Sequence, residues 1–407
     1  MMGRLAMPVL RRWSGGAVDT PRHGFVADRG FVIAVTVLVL LGILMVGSSS
    51  IAIADRELGQ PFYYVQRQVL YVLAGLVAMF IVRWLPLIFW QRISGGLLGA
   101  AVLLLLLVLV PGIGHEVNGS ARWLSLVFIN LQPSELAKLF VILYLAGYLV
   151  RRGDEVRSQE TRVAVLGFVK PIIVLAALSV LLLAEPDFGA AAIMMSTAMI
   201  LLFLGGVRVW QFGILLSCVG LSLAVLAVSS PYRLERITAF LDPWADPFAS
   251  GFQLTQALIA FGRGEWFGVG LGNSIQKLFY LPEAHTDFLF AVMAEELGLV
   301  GSLVVLALFM WLVLSIFRIG RRAERSGATY AAYVSYGIGS WIALQTLTNI
   351  GVNMGVLPTK GLTLPLMSYG GSSLLVTCVA LALLQRVAHE TALARVQARP
   401  LRKAEPS

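Results

Sequence analysis

Leu281-Pro-Glu283-Ala-His285-Thr-Asp287-Phe-Leu-Phe-Ala-Val-Met-Ala-Glu295-Glu296-Leu-Gly298 passes from a polar loop into an apolar run that continues to about residue 317. A run of that length can cross a bilayer, which takes roughly 20 predominantly apolar residues. Glu283, Asp287, Glu295 and Glu296, with His285, straddle the boundary. Ionisable groups at or inside a membrane span are costly, and they mark functional hypotheses. This stretch therefore sets both the fold class and the first question about function.

Composition agrees with the membrane reading. Of the 407 residues, 58% are hydrophobic and 13% charged, and the mean hydropathy is +0.83. A soluble domain carries roughly 25% charged residues, so a polytopic membrane protein is expected. The first thirty residues are basic and polar, without the short apolar core and cleavage site of a signal peptide. Cys218 and Cys378 lie in apolar runs and read as inert thiols, and the four histidines lack metal-ligand spacing. The net charge of +9 is distributed as membrane topology would place it, not as a nucleic-acid patch.

Apolar runs fall at about 31–51, 68–86, 93–111, 133–150, 171–185, 188–206, 209–230, 287–317, 331–356 and 368–388. The expected fold is thus an all-α integral membrane protein of about ten transmembrane helices. With both termini and alternate loops on one side, that side holds 22 of the 31 Lys and Arg residues and the other holds 9. Basic residues favour the cytoplasm, which puts both termini inside. Three parts follow: a basic arm over 1–29, a transmembrane domain over 30–389, and a tail over 390–407. Within the domain, residues 231–286 form one long extracytoplasmic loop between helices 7 and 8, holding an Asp242-Pro-Trp-Ala-Asp246-Pro turn and a short helix from Gln253 to Phe261. A long ordered loop in a compact protein is usually functional.

Several residues admit two readings. Glu135 and Lys138, at i and i+3, share a helix face and are either a structural ion pair or part of a site. Asp187, beside Pro186 and Gly189, either caps the sixth helix or carries chemistry. Glu295 and Glu296 are either core polar contacts or reactive acids. Asp287 is either a helix cap or a base whose pKa is raised by partial burial and by local charge, with Glu283 and His285 flanking it. Arg122-Trp123, in the other outer loop of note (112–132), reads as an interfacial anchor or a cationic contact. Gly268-Val-Gly270-Leu-Gly272 lacks the strand–helix context of a dinucleotide fingerprint. Ser274-Ile-Gln-Lys277 has no transpeptidase domain around it and reads as chance.

Longer blocks carry a resemblance. Leu281-Pro-Glu-Ala-His-Thr-Asp287-Phe, Gln132-Pro-Ser-Glu135-Leu-Ala-Lys138, Glu185-Pro186-Asp187-Phe-Gly189, the loop block from Phe252 to Ser274 and the run from Asn349 to Ser373 together resemble the SEDS family (shape, elongation, division, sporulation) over residues 30–388. The wording of the loop and the basic arm is more similar to the division branch than to the elongation branch. The resemblance implies the SEDS fold and a peptidoglycan glycosyltransferase that polymerises lipid II into β-1,4 strands during septal wall synthesis. Making a β bond from an α-linked pyrophosphate inverts the anomeric carbon, which needs a base but no carboxylate nucleophile.

In that frame Asp287 is the expected general base. Lys138 and Arg122 are expected phosphate contacts, and Lys360 is either a third or a solvent-facing loop lysine. Glu135 would hold Lys138. Glu283, Asp187 and Ser368 complete the substrate-contacting candidates. The residues leave a metal requirement open: Mg2+ or Mn2+ suits an oxygen-rich site with a diphosphate, and Glu135 and Asp287 would be its ligands. The family further implies a class B penicillin-binding protein (FtsI-like) as transpeptidase partner, division proteins of the FtsQ, FtsL, FtsB and FtsN kind, and residence in the bacterial inner membrane at the septum with the site extracytoplasmic. Two rival classes remain at this stage, a lipid II flippase and a non-catalytic division scaffold.

Overall fold

A computed structural model describes residues 28–117, 120–125, 130–214, 216, 217, 220, 240–249, 251–358 and 361–402. Three long helices open the chain: α1 (Arg29–Leu58), α2 (Tyr63–Trp84) and α3 (Leu87–Val108). A small antiparallel sheet follows, β1 (Gly114–Val117), β2 (Ser120–Ser125) and β3 (Asn130–Leu131), and leads into α4 (Pro133–Val156). Then come α5 (Thr161–Ala184), α6 (Phe188–Leu204), α7 (Phe252–Gly264), α8 (Leu289–Arg325), α9 (Thr329–Asn353) and α10 (Gly371–Arg402). Residues 209–214 are helical, and the rest of the expected seventh span lies almost wholly outside the described residues.

Seven of these helices (α1 to α5, α8 and α10) are long and apolar enough to cross a membrane. At 17 residues α6 is a shorter apolar helix. The fifth span starts ten residues earlier than its apolar run, because the helix continues through Arg162, Lys170 and Pro171. Long basic side chains near a helix end reach the interface, and a proline is tolerated where neighbours support the backbone. The short loop helix is present as Phe252–Gly264, and the Asp242 turn closes through Ala245 N–H donating to the Asp242 carbonyl. Within 112–132 the described residues form the small sheet. Gly114 pairs with Leu124 and Leu124 with Leu131, with a bulge between His115 and Glu116.

At the centre α4 is buried along nearly its whole length, touching α3, α5, α6, α9 and α10. By contrast α2 packs mainly on α10 and leaves Leu70, Leu73, Val77, Phe80 and Ile81 outward. Apolar side chains gain nothing by leaving lipid, so helix association there depends on close van der Waals fit. Small residues supply it: a Cβ at Gly42 would lie 2.7 Å from the Met367 backbone, and one at Gly337 would lie 2.5 Å from Ile142.

One helix is broken on purpose by its sequence. Gly298 in α8 has φ +68°, which an L residue rarely adopts. The carbonyls of Glu295 and Glu296, freed from the helix ladder, accept from Val269 and Gly270, while Leu299 and Val300 donate to the carbonyls of Glu265 and Trp266. The loop backbone thus splices the break. Gly268 permits it, since a Cβ there would sit 2.1 Å from the Glu296 carbonyl oxygen.

Candidate active site

Asp287 lies two residues before α8, half-buried, in the turn that Glu283 starts. The Glu283 carbonyl accepts from Thr286 and Phe288, and Glu283 itself adopts φ +56°. The main-chain carbonyl of Asp287 is held by two amides of α9, Asn349 Nδ2 at 2.8 Å and Asn353 Nδ2 at 2.9 Å. Asn349 also donates to Leu362 O, and Asn353 accepts from Ala291 N–H. Among the described residues the Asp287 carboxylate accepts no hydrogen bond, so it does not cap α8. Across from it, a Cβ built on Gly361 would come within 3.0 Å of Asp287 Oδ2. The glycine leaves that side open.

Loss of hydration, then the Glu283 charge, raises the Asp287 carboxyl to about 7; Asp187 adds to the rise and Arg122 opposes it. A group balanced near neutrality can both take and release a proton. Exposed Glu283 receives a hydrogen bond from Thr286 Oγ1 (2.6 Å). His285 is buried against the rings of Tyr64 and Tyr369, 4.5 and 5.6 Å away, and burial lowers its pKa, so it is neutral at pH 7.

The other expected residues occupy three places. Arg122, on β2, donates from Nε to Glu185 O (3.2 Å) and from Nη2 to Pro186 O (2.7 Å), clamping the turn that starts α6. Asp187 does cap α6, accepting from Ala190 N–H at 3.1 Å, but its other oxygen takes Ser134 Oγ at 2.8 Å and Gln132 Nε2 at 3.1 Å. The cap reading is therefore correct and incomplete, because Asp187 also ties α6 to α4. Glu135 and Lys138 form a buried ion pair at 2.8 Å. Lys138, 1% exposed, also donates to Gln345 Oε1 at 2.9 Å and faces the Trp341 ring. Ser368 is buried, and its hydroxyl accepts from Leu364 N–H, closing the turn before α10. Lys360 lies outside the described residues.

A polar line on α9 joins these places, and the sequence reading missed it. Trp341, Gln345, Asn349 and Asn353 recur every fourth residue and so share one face. Trp341 Nε1 donates to Gln345 Oε1, Gln345 to Thr363 O, and Asn349 to Leu362 O. Four hydrogen-bonding side chains at helical spacing in the apolar run 331–356 are the signal that could have revealed it. Glu185 was also passed over. It is buried with both carboxyl oxygens unpartnered among the described residues, and burial next to Asp187 pushes it up to about 8.

Metal binding finds limited support. Among the described residues no three His, Cys, Asp or Glu side chains gather as ligands. Glu135 is already neutralised by Lys138. Any divalent ion would have to take most of its oxygens from a substrate.

The pattern of the "Cell cycle protein" family (FtsW, RodA, SpoVE) matches residues 29–393. The chain belongs to the FtsW–RodA–SpoVE family. A probable peptidoglycan glycosyltransferase FtsW of Nitrosococcus halophilus is 60% identical over 96% of this chain and 98% of its own. Another with the same description, from Thioalkalivibrio sulfidiphilus, is 57% identical over 92% of each chain. Among solved structures, one from work on structural coordination of polymerization and crosslinking by a peptidoglycan synthase complex is 31% identical, with a TM-score of 0.72 over 90% of this chain and 98% of that one. The rod shape determining protein RodA of Thermus thermophilus is 29% identical, with a TM-score of 0.64 and the same coverage. The FtsW–RodA–SpoVE membership and the apolar helices make this a multi-pass membrane protein.

Proposed function

We propose that this chain is a peptidoglycan glycosyltransferase of the FtsW kind, polymerising lipid II in septal wall synthesis, with Asp287 as general base. The observation that carries the assignment of Asp287 is its treatment by the fold. Its main chain is fixed by two asparagines, while its carboxylate is left without a hydrogen bond among the described residues and sits near pH 7.

The reaction balances simply. Asp287 takes the proton from the acceptor sugar hydroxyl, the hydroxyl oxygen bonds to the anomeric carbon, and the bond to the polyprenyl pyrophosphate breaks with inversion. No glycosyl–enzyme bond is needed, so one carboxylate suffices. The departing pyrophosphate needs positive charge rather than an acid. Arg122 suits that role better than Lys138, because two carbonyls orient its guanidinium while Lys138 is sealed beneath the site by Glu135 and Gln345. Lys138 is then a fixed charge that sets the local potential. Glu283 supports the base electrostatically, and Asp187 holds the α4–α6 junction.

The fuller reading keeps ten spans, both termini cytoplasmic, the site facing out at the inner membrane of the septum, and a crosslinking transpeptidase as partner. The 31%-identical structure belongs to work on a peptidoglycan synthase complex that coordinates polymerization with crosslinking, which supports such a partner. The gathering of Arg122 on β2 with Asp187 and Asp287 at the starts of α6 and α8 favours surface chemistry over a flippase path.

Lipid II given to the purified protein with its transpeptidase tests the assignment. Glycan strands are expected from the wild type and none from Asp287→Ala. Equal polymerisation by the variant would remove Asp287 from the mechanism. Transport of lipid II across liposomes without polymerisation would overturn the enzyme reading.

A further inference from the structure

A cavity of about 490 Å³ opens at the end of the bundle opposite Asp287, lined by the first residues of α1 and the last turns of α8 and α10. From Leu299, just past the break, to Arg322 the axis of α8 covers roughly 35 Å at 1.5 Å per residue, so the cavity shares nothing with the reaction site. Three arginines from three helices line it: Arg29, Arg322 and Arg395. Asp28 pairs with Arg322 at 2.9 Å. Among the described residues, no carboxylate pairs with Arg29 or Arg395. Two positive charges are therefore left over around one concave space. In its wall Thr391, 5% exposed, has a hydroxyl with no hydrogen-bond partner among the described residues. A buried hydroxyl left unpaired carries an uncompensated loss of hydration unless something binds there.

We propose that this cavity binds the phosphate of an anionic phospholipid headgroup, with Arg29, Arg322 and Arg395 as the cationic contacts and Thr391 as a neutral donor. Arginines at a membrane edge are common without any ligand. Convergence of three on one cavity, together with the orphaned hydroxyl, is what separates this place from ordinary interfacial charge. Basic pockets between membrane helices are suited to anionic headgroups.

A phosphate in this cavity could come from a lipid or from solution, and the surroundings favour the lipid. Trp311 of α8 donates its indole N–H to Gly30 O at 3.2 Å, locking α8 to the start of α1. Beside it Ile33 and Leu314 are 62% and 51% exposed. This apolar surface runs from the cavity along α1 and α8, where the acyl chains of a seated lipid would lie. A soluble phosphate would leave it unused.

Native mass spectrometry of the full-length protein, titrated with phosphatidylglycerol or phosphatidylethanolamine of matched acyl chains, tests the proposal. Phosphatidylglycerol is expected to bind preferentially. Each arginine removed in Arg29→Gln and Arg395→Gln should weaken that binding roughly fivefold, as expected for one basic side chain near an anionic headgroup. Thr391→Val should weaken it less. Arg162→Gln, at the start of α5 and outside the cavity, should leave it unchanged. Equal binding of the two lipids would overturn the proposal, as would unaltered binding by the Arg29→Gln/Arg395→Gln double variant. Displacement of the lipid by millimolar inorganic phosphate would also overturn it, in favour of a soluble anion.

Discussion

Asp287 and the Glu295–Glu296 pair stand eight residues apart on one segment, and the fold treats them in opposite ways. Glu295 and Glu296 are fully buried and saturated. Glu296 pairs with Lys277 at 2.7 Å and accepts Ser48 Oγ, while Glu295 accepts the hydroxyl of Ser274 and the main-chain N–H groups of Ile275 and Gln276, with Arg263 at 3.4 Å. Asp287 has the reverse arrangement: its main chain is held and, among the described residues, its carboxylate is left open. Carboxylates whose every oxygen is occupied build structure, whereas a positioned carboxylate with free oxygens can move a proton. Asp287 is half-buried where the two glutamates are fully buried, and the partner set marks the difference in role.

The sharpest way to break this contrast is to remove each carboxylate. Asp287→Asn should cut polymerisation by roughly 10^2–10^4-fold, the usual worth of a general base, with no fall in the melting temperature. Glu296→Gln should do the reverse. Leaving Lys277 buried without its partner costs roughly 3–5 kcal/mol, visible as a large fall in melting temperature. If Asp287→Asn melted early and Glu296→Gln did not, the contrast would be wrong.

A smaller effect is expected at the asparagines. Asn353→Ala frees one of the two bonds on the Asp287 carbonyl, and a shift of about 1 Å in a reacting group costs on the order of 10^2 in rate. The loss should fall on kcat more than on KM. Smaller still is the response to Glu283→Gln. Asp287 must be ionised to act, so activity falls as pH drops through about 7. Removing the Glu283 charge lowers that pKa and should carry activity to lower pH, measured as a shifted acidic limb. An unmoved limb would detach Glu283 from the base.

Glu185 offers the mildest test. Its carboxyl is raised from 4.5 to about 8, so across that window the folded state keeps a proton that the unfolded state releases. Stability must then fall as pH rises from about 4.5 to 8 and level off above. Glu185→Gln, always neutral, should melt with a flatter pH dependence, its advantage appearing at pH 8 and vanishing at pH 5.

The spans were legible because an apolar run needs no partner to declare itself, and α1 to α6 lie where the runs placed them, apart from the early start of α5. What escaped the sequence depends on contact between distant segments. The Asn349 and Asn353 amides look like ordinary polar interruptions until Asp287 is set against them, 62 and 66 residues away in sequence. Ser274-Ile-Gln-Lys277 read as a chance string, and its ends turn out to anchor both buried glutamates. Asp287 itself was found from its boundary position and the resemblance together. Neither its open carboxylate nor its two amide supports could be read from spacing.

The splice at Gly298 gives the long loop an unusual kind of permanence. The N–H groups of Val269, Gly270, Leu299 and Val300 donate across the break to the carbonyls of Glu295, Glu296, Glu265 and Trp266, so separating loop from helix would strand eight polar groups at once. In hydrogen exchange these four amides should lose protection together, at one rate, as a single opening event.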